Sequence, residues 1–225
     1  RIKRELILAG VFGNVNVVYS MFVGHGYHGV GLIRSYIGFD VKAVRVTGFV
    51  HEFPVQDHIW RAGQPRRDTE EWQMGVIEFE NQSRGIFNFS SLSYGSPLRK
   101  LPNVREVRFY AEKGMGTGQD MAILEGDDVT RPVEIERRTI EVEGQEVLDV
   151  LVANTTPEVV WENPLREYPL SDGEITLASE IVSIARATGE GIDPEYGAHN
   201  GYVDREIDLA ISQSAANNSE PVEFS

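Results

Sequence analysis

The sequence predicts an α+β domain: an open, mainly antiparallel β-sheet with helices packed on one face. Two observations carry this. Strand-like runs follow one another between residues 72 and 161 with no helical stretch between them. Helical periodicity is confined to the two ends of the chain, and the one strand–turn–helix near the start is not repeated as βαβ units.

Residues 1–9 read as the end of a helix, with Ile2, Leu6 and Ile7 on one side and Gly10 as the stop. Residues 14–23 are rich in Val, Tyr and Phe and read as a strand. Val30, Ile33 and Ile37 recur at helical spacing, and Gly38 closes that helix. Residues 41–50 form a second strand. Residues 54–71, with Pro54, Pro65, Asp57, His58, Trp60 and Arg61, read as a long polar loop, and loops of that length are often functional.

Residues 72–80 and 85–94 alternate like strands joined by Asn81-Gln82-Ser83-Arg84. Val107, Phe109 and Ala111 alternate with Glu106, Arg108 and Tyr110. Residues 132–143 and 146–152 look like a hairpin turning at Gly144, and residues 159–161 add an edge strand. Ser171-Asp172-Gly173-Glu174 has capping-box spacing. Ile175, Ala178, Ile181, Val182 and Ala185 then make an apolar stripe that ends at Gly189. A last helix around Tyr202 carries Val203, Ile207, Ala210 and Ile211, and Pro221 breaks it.

A chain of 225 residues is long enough to bury a sizeable core. It has no Cys, which removes disulfides, thiolate zinc sites and cysteine nucleophiles together and fits a cytoplasmic, reducing compartment. The net charge of −14 comes with no visible basic face, so no nucleic-acid partner is expected. No apolar run approaches the roughly 20 residues of a membrane span, so no membrane partner is expected either. The first residue is Arg1, which suggests a fragment of a longer chain.

The chemistry-bearing stretch is Gly24-His25-Gly26-Tyr27-His28-Gly29, between the first strand and the second helix. It spells G-x-G-x-x-G and has two readings. As a phosphate cradle, its glycines would bring the backbone to a pyrophosphate at a helix N-terminus. Asp40, however, lies sixteen residues after Gly24 and before the next strand, and both histidines would then go unexplained. As a catalytic turn, it would present His28, with His25, to a reacting hydroxyl; imidazole titrates near neutral pH and suits proton transfer. A metal on His25 and His28 lacks a third ligand, so no metal is expected. Tyr27 is a candidate to line a sugar pocket, and His58, Trp60 and Arg61 are candidates to cover a polyol substrate. Arg34, two turns into the helix, reads as an ion-pair or oligomer residue. His51 and His199 have no assigned role.

Four pieces resemble, in order, the C-terminal half of the Gfo/Idh/MocA oxidoreductases. Gly26-x-His28, with Gly38 ten residues on, resembles the D-x-G-x-H-x-x-D-x-x-x-x-L-x-G signature of that family. The segment from Gly75 to Asn81 with Arg84-Gly85 resembles its sheet hairpin, the segment from Val107 to Gly114 its following strand, and the segment from Pro194 to Val222 its closing helix and strand. Two departures are plain: the signature's two acids fall at Gly24 and Gly31.

The resemblance implies a glyceraldehyde-3-phosphate dehydrogenase-like C-terminal domain over residues 1–225, one substrate-binding and oligomerisation domain of a two-domain chain. It implies hydride transfer between NAD or NADP and a sugar, polyol or cyclitol, with the cofactor held mainly by an N-terminal domain and no cofactor-binding residue in this chain. His28 would be the base, and the open sheet face would join subunits of a homo-oligomer. A non-catalytic binding or oligomerisation module on the same fold is the alternative, supported by the missing acids.

Overall fold

The computed structural model describes residues 1–22, 24–59, 63–101 and 105–224. In chain order the elements are α1 (Ile2–Leu8), β1 (Val15–Met21), α2 (Tyr27–Ile37), β2 (Ala43–Ile59), β3 (Arg66–Phe79), β4 (Arg84–Ser90) and α3 (Ser91–Gly95). A 3-10 turn at Pro97–Lys100 precedes β5 (Glu106–Ala111), β6 (Gly114–Thr117), β7 (Asp120–Leu124), β8 (Thr130–Pro132), β9 (Ile135–Val142), β10 (Gln145–Ala153) and β11 (Val159–Glu162). Helices α4 (Asp172–Glu190) and α5 (Ala198–Ala216) and strand β12 (Val222–Glu223) complete the chain. The chain divides into two compact units, residues 12–122 with 199–225 and residues 1–11 with 123–198.

The larger unit is built on strands in the order β12-β2-β3-β4-β1-β5-β6-β7. The pairs β12–β2, β2–β3, β3–β4, β1–β5 and β5–β6 are antiparallel, and β1 with β4 is parallel (Val17 opposite Arg84 through Met21 opposite Asn88). This is the mainly antiparallel α+β sheet that the consecutive strand pattern predicts. One face, with Val18, Val46, Ile77, Phe79, Phe87 and Phe109 buried, lies under α2 and α5. Glycines set how closely the helices approach: a β-carbon at Gly85 would lie 2.6 Å from Ile33 of α2, and one at Gly48 only 2.0 Å from the Ile211 carbonyl oxygen of α5. The opposite face carries Phe49 across from Met74, and Tyr19 edge-on to Tyr110 at 5.8 Å.

Between α2 and α5 sits a buried ion pair. Arg34 donates to Asp204 Oδ1 (2.5 Å), to the Phe39 carbonyl (2.7 Å) and to Asn200 (3.3 Å), and neither charged side chain is more than 2% exposed. The guanidinium is thus an ion-pair residue, with the extra hydrogen bonds that a buried charge requires.

The smaller unit holds the sheet β11-β10-β9, with α1 against β10 and β11. The β9–β10 hairpin turns through Glu143 (φ 50°) and Gly144 (φ 79°), two residues of positive φ as a tight hairpin demands. The Ser171–Glu174 capping box forms in both directions.

Several expectations are corrected. The polar loop at 54–71 is instead a long two-stranded arm: β2 runs on to Ile59 and β3 starts at Arg66, with His58 opposite Arg67. Both faces of the arm are largely exposed, so its strands need no apolar alternation and the sequence pattern gives no strand signal. The register shifts between Pro54 and His58, where the proline has no N–H to give the ladder. The strand expected at 85–94 stops at Ser90, whose hydroxyl accepts from the Ser93 amide and starts α3. Helix α4 passes through Gly189 and ends at Gly191, which takes the left-handed conformation (φ 66°) that lets a helix close. Of the stripe predicted on α4, only Ile175 is buried.

Candidate functional site

The first strand and β4 run parallel, so their carboxyl ends emerge together, with the Phe22 amide donating to the Asn88 carbonyl at 2.9 Å. In sheets with parallel strands, the space beyond such ends is where loops can converge on a ligand. Residues 24–26 turn there, and α2 starts at Tyr27.

Packing explains the three glycines of the turn. A β-carbon on Gly24 would meet that of His28 at 2.9 Å. One on Gly29 would lie 2.4 Å from the Phe87 ring. Gly26 has φ 50° and ψ −134°, a conformation that L-residues avoid, and a β-carbon there would be 2.9 Å from Asp208 Oδ2. Substituting any of them forces the turn or its neighbours to shift.

The turn brings His25, Tyr27 and His28 together. The His28 ring is 4.2 Å from Tyr27 and 5.3 Å from His25, and both Tyr27 and His28 are exposed. His25 is half-buried, edge-on to Tyr94 at 5.3 Å and to Phe89 at 6.1 Å. Tyr94 is held by the Ser90 cap of α3 and by Arg105, which donates to its carbonyl (2.7 Å) and lies over its ring (4.9 Å). Nearby in the chain, Phe22 packs edge-on against Trp72 at 5.3 Å. The result is a pair of imidazoles set among aromatic rings, with one imidazole open to solvent.

His58 lies on the β2–β3 arm, with Nδ1 3.0 Å from the Gln56 carbonyl, and no described contact joins it to the histidine turn. Trp60 and Arg61 lie outside the described residues. On the same arm a cleft of about 370 Å³ is lined by His51, Glu52, Arg67 and Glu71, among others. It is separate from the glycine turn and belongs to the exposed part of the hairpin. His199 lies in the first turn of α5. Among the described residues no group of three His, Cys, Asp or Glu side chains is placed to hold a metal ion.

Sequence reasoning missed Asp208. Its carboxylate, from α5, is buried against Gly26 and accepts from Arg205 Nη1. The clue was its position: Asp204 and Asp208, one turn apart, share the buried side of α5 with Ile207 and Ile211. A carboxylate of the protein thus stands beside the capping glycine of the G-x-G-x-x-G turn.

No family model matches the sequence, and no curated protein matches it. Solved structures do. An oxidoreductase from Agrobacterium radiobacter, in complex with NAD+, L-tartaric acid and magnesium, is 12% identical with a TM-score of 0.58, over 98% of this chain and 60% of that one. Levoglucosan dehydrogenase in complex with NADH and levoglucosan is 14% identical with a TM-score of 0.59, over 99% and 62%. Aldose-aldose oxidoreductase from Caulobacter crescentus, complexed with glycerol, is 13% identical with a TM-score of 0.54, over 99% and 59%. At such identities the likeness shows the fold, and it is the fold that the resemblance to the Gfo/Idh/MocA oxidoreductases implies. The chain spans about 60% of the length of these structures.

Proposed function

We propose that this chain is the substrate-binding and proton-transferring part of an NAD(P)-dependent oxidoreductase acting on a CH–OH group of a sugar, polyol or cyclitol. The observation that carries this reading is the exposed His28 beside His25 and Tyr27, beyond the carboxyl ends of the parallel pair, on a fold shared with such oxidoreductases. In this reading residues 1–225 are one domain of a longer two-domain chain, and the cofactor binds mainly to the other domain; the coverage of about 60% supports this. The nicotinamide would supply the hydride acceptor or donor.

His28 would take the hydroxyl proton as the carbinol becomes a carbonyl, and return it in the reverse direction. His25, wedged between Tyr94 and Phe89, would fix the rim, and Tyr27 would pack on the sugar. The open sheet face, with Phe49, Met74 and Tyr110 exposed, would join subunits of a homo-oligomer, and a monomer by light scattering at high concentration would overturn that part. No described helix is long and apolar enough to cross a membrane. A cytoplasmic location and the absence of a nucleic-acid partner belong to the same proposal and rest on the lack of Cys and the acidic charge.

The test uses the full-length protein with NAD or NADP and a panel of neutral sugars and cyclitols. His28→Ala is expected to lower kcat by roughly 10²–10⁴-fold. Turnover at the parent rate would remove His28 as the proton carrier. The second reading, a non-catalytic module on this fold, is favoured by the missing acids at Gly24 and Gly31 and predicts no turnover with any member of the panel.

A further inference from the structure

We propose that the histidine turn prefers an anionic sugar, one bearing a carboxylate or a phosphate, over the neutral sugar of the same ring. Arg105, with Arg99 and Lys100 on the same segment, takes the charge. The sugar half of this statement rests on the turn being the substrate site. The anion half stands by itself.

Negative charge is unevenly spread along the chain. There are 35 Asp and Glu residues, yet none lies between Glu5 and Asp40 and none between Glu80 and Glu106. Those two acid-free stretches supply the turn from Gly24 to Gly29 and the rings of Phe89 and Tyr94 beside it. The carboxylates that come near from elsewhere are engaged. Asp208 pairs with Arg205, and the cation is the exposed member, 56% against 5%. Glu70 accepts from the Ser90 hydroxyl at 2.6 Å, Glu106 pairs with Arg108, and Glu71 lines the separate arm cleft.

The same neighbourhood carries cations that the protein does not neutralise. Arg99 and Lys100 close the 3-10 turn after α3, which Ser96 starts by accepting from the Leu98 amide at 3.1 Å. Arg99, Lys100 and Arg105 are exposed, and among the described residues no carboxylate pairs with any of them. Most arginines of the chain do sit in ion pairs, Arg45 with Glu78 and Arg137 with Asp172 among them.

Arg105 is also fixed in place. It donates to the Tyr94 carbonyl at 2.7 Å, and its guanidinium lies over the Tyr94 ring at 4.9 Å. That leaves the rest of its five N–H donors for a ligand, in the fork that carboxylates and phosphates accept. Tyr94 is edge-on to His25 at 5.3 Å, and His25 to His28 at 5.3 Å. One ring therefore separates the guanidinium from His25, and one further step reaches the open imidazole of His28. A sugar acid or sugar phosphate can accept from Arg105 while one of its hydroxyls donates to His28. Arg99 and Lys100 add attraction at longer range, over roughly 10 Å at 0.1 M salt.

The test is calorimetric titration of the full-length protein, saturated with NADH or NADPH, with inorganic phosphate and with acetate at low salt. At least one of the two anions is expected to bind, and Arg105→Gln to weaken it at least about tenfold at an unchanged melting temperature. Arg99→Gln with Lys100→Gln should weaken it less and flatten its salt dependence. Binding of neither anion, or binding that Arg105→Gln leaves as it was, would overturn the anion site. Binding that appears only without the dinucleotide would assign the cations to the cofactor and overturn the sugar half. Turnover then compares hexuronates and hexose phosphates with their neutral parents. The better anionic class is expected to show at least about tenfold higher kcat/KM, and Arg105→Gln to remove that advantage while sparing the neutral parents. Equal or better turnover of the neutral parents would overturn the sugar half. No turnover of any sugar, with the phosphate or acetate result intact, would remove both the sugar half and the oxidoreductase reading and leave the anion site standing.

Discussion

Helices α4 and α5 are each 19 residues long, and their fates are opposite. By sequence α4 is the better surface helix, with a full capping box and the apolar residues Ile175, Leu177, Ile181, Val182 and Ile184. Yet it buries Ile175 alone, and Leu177, Ile181 and Ile184 are 64, 69 and 61% exposed. Helix α5 has four Ile, Leu or Val residues to the five of α4, but buries Asp204, Ile207, Asp208, Ala210, Ile211 and Ser214. The difference lies in what each meets. Helix α5 lies on a sheet whose Gly48 and Gly75 leave room for Ile211, and Ser214 Oγ accepts from the Gly48 amide at 2.9 Å. Apolar count alone does not determine burial; a surface shaped to receive the helix does.

The largest test of this contrast is the ion pair that fastens α5 to α2. Arg34→Ala leaves Asp204 buried and unpaired and is expected to cost about 3–5 kcal/mol, read from the urea midpoint at unchanged slope. Gly48→Ala comes next. Its new methyl group would meet backbone at 2.0 Å, which cannot rotate away, so a loss on the order of 1–3 kcal/mol is expected in the same measurement. A neutral result would show that α5 can ride further from the sheet than the close fit suggests.

On α4 the effects are smaller. Ser171→Ala removes the cap and should cost about 1 kcal/mol in thermal unfolding. The same cap has a pH signature. Hydrogen bonds from Ser171 side chain and backbone hold the Glu174 carboxyl below its ordinary 4.5. Its contribution is therefore present above the unfolded value and fades as pH falls through the lowered folded one. The difference in melting temperature between the parent and Glu174→Gln should shrink in acid below pH 4.5. A difference that persists there would assign the effect to something other than the ionised cap. Smallest of all, Ile181→Ser on the exposed side of α4 should change stability by within about 0.5 kcal/mol. A loss of 2 kcal/mol or more would mean that this side is covered in solution, for about that much is lost when a buried aliphatic side chain is truncated.

Legibility of the chain followed local physics. The helix at 27–37 could be read from Val30 and Ile33 and its stop at Gly38, the hairpin from Gly144, and the cap from Ser171 and Glu174. The arm at 43–79 could not be read in full, because strands exposed on both faces lose the two-residue period that marks them. At the site, the sequence singled out His25, Tyr27 and His28, which the fold does bring together, and His58, which lies on the separate arm. It did not single out Tyr94 or Asp208.

By itself, then, the sequence determined the α+β class, the helix at 27–37, the β9–β10 hairpin, the α4 cap and the histidine turn, since periodicity, caps and glycines act over a few residues. Only the tertiary structure decided that the glycines serve close packing, that an aspartate 182 positions beyond Gly26 supplies the turn's carboxylate, and that α5 rather than α4 is the buried helix. Contacts between residues so far apart in the chain leave no local pattern; they exist only once the sheet has formed and its surface selects which helix fits.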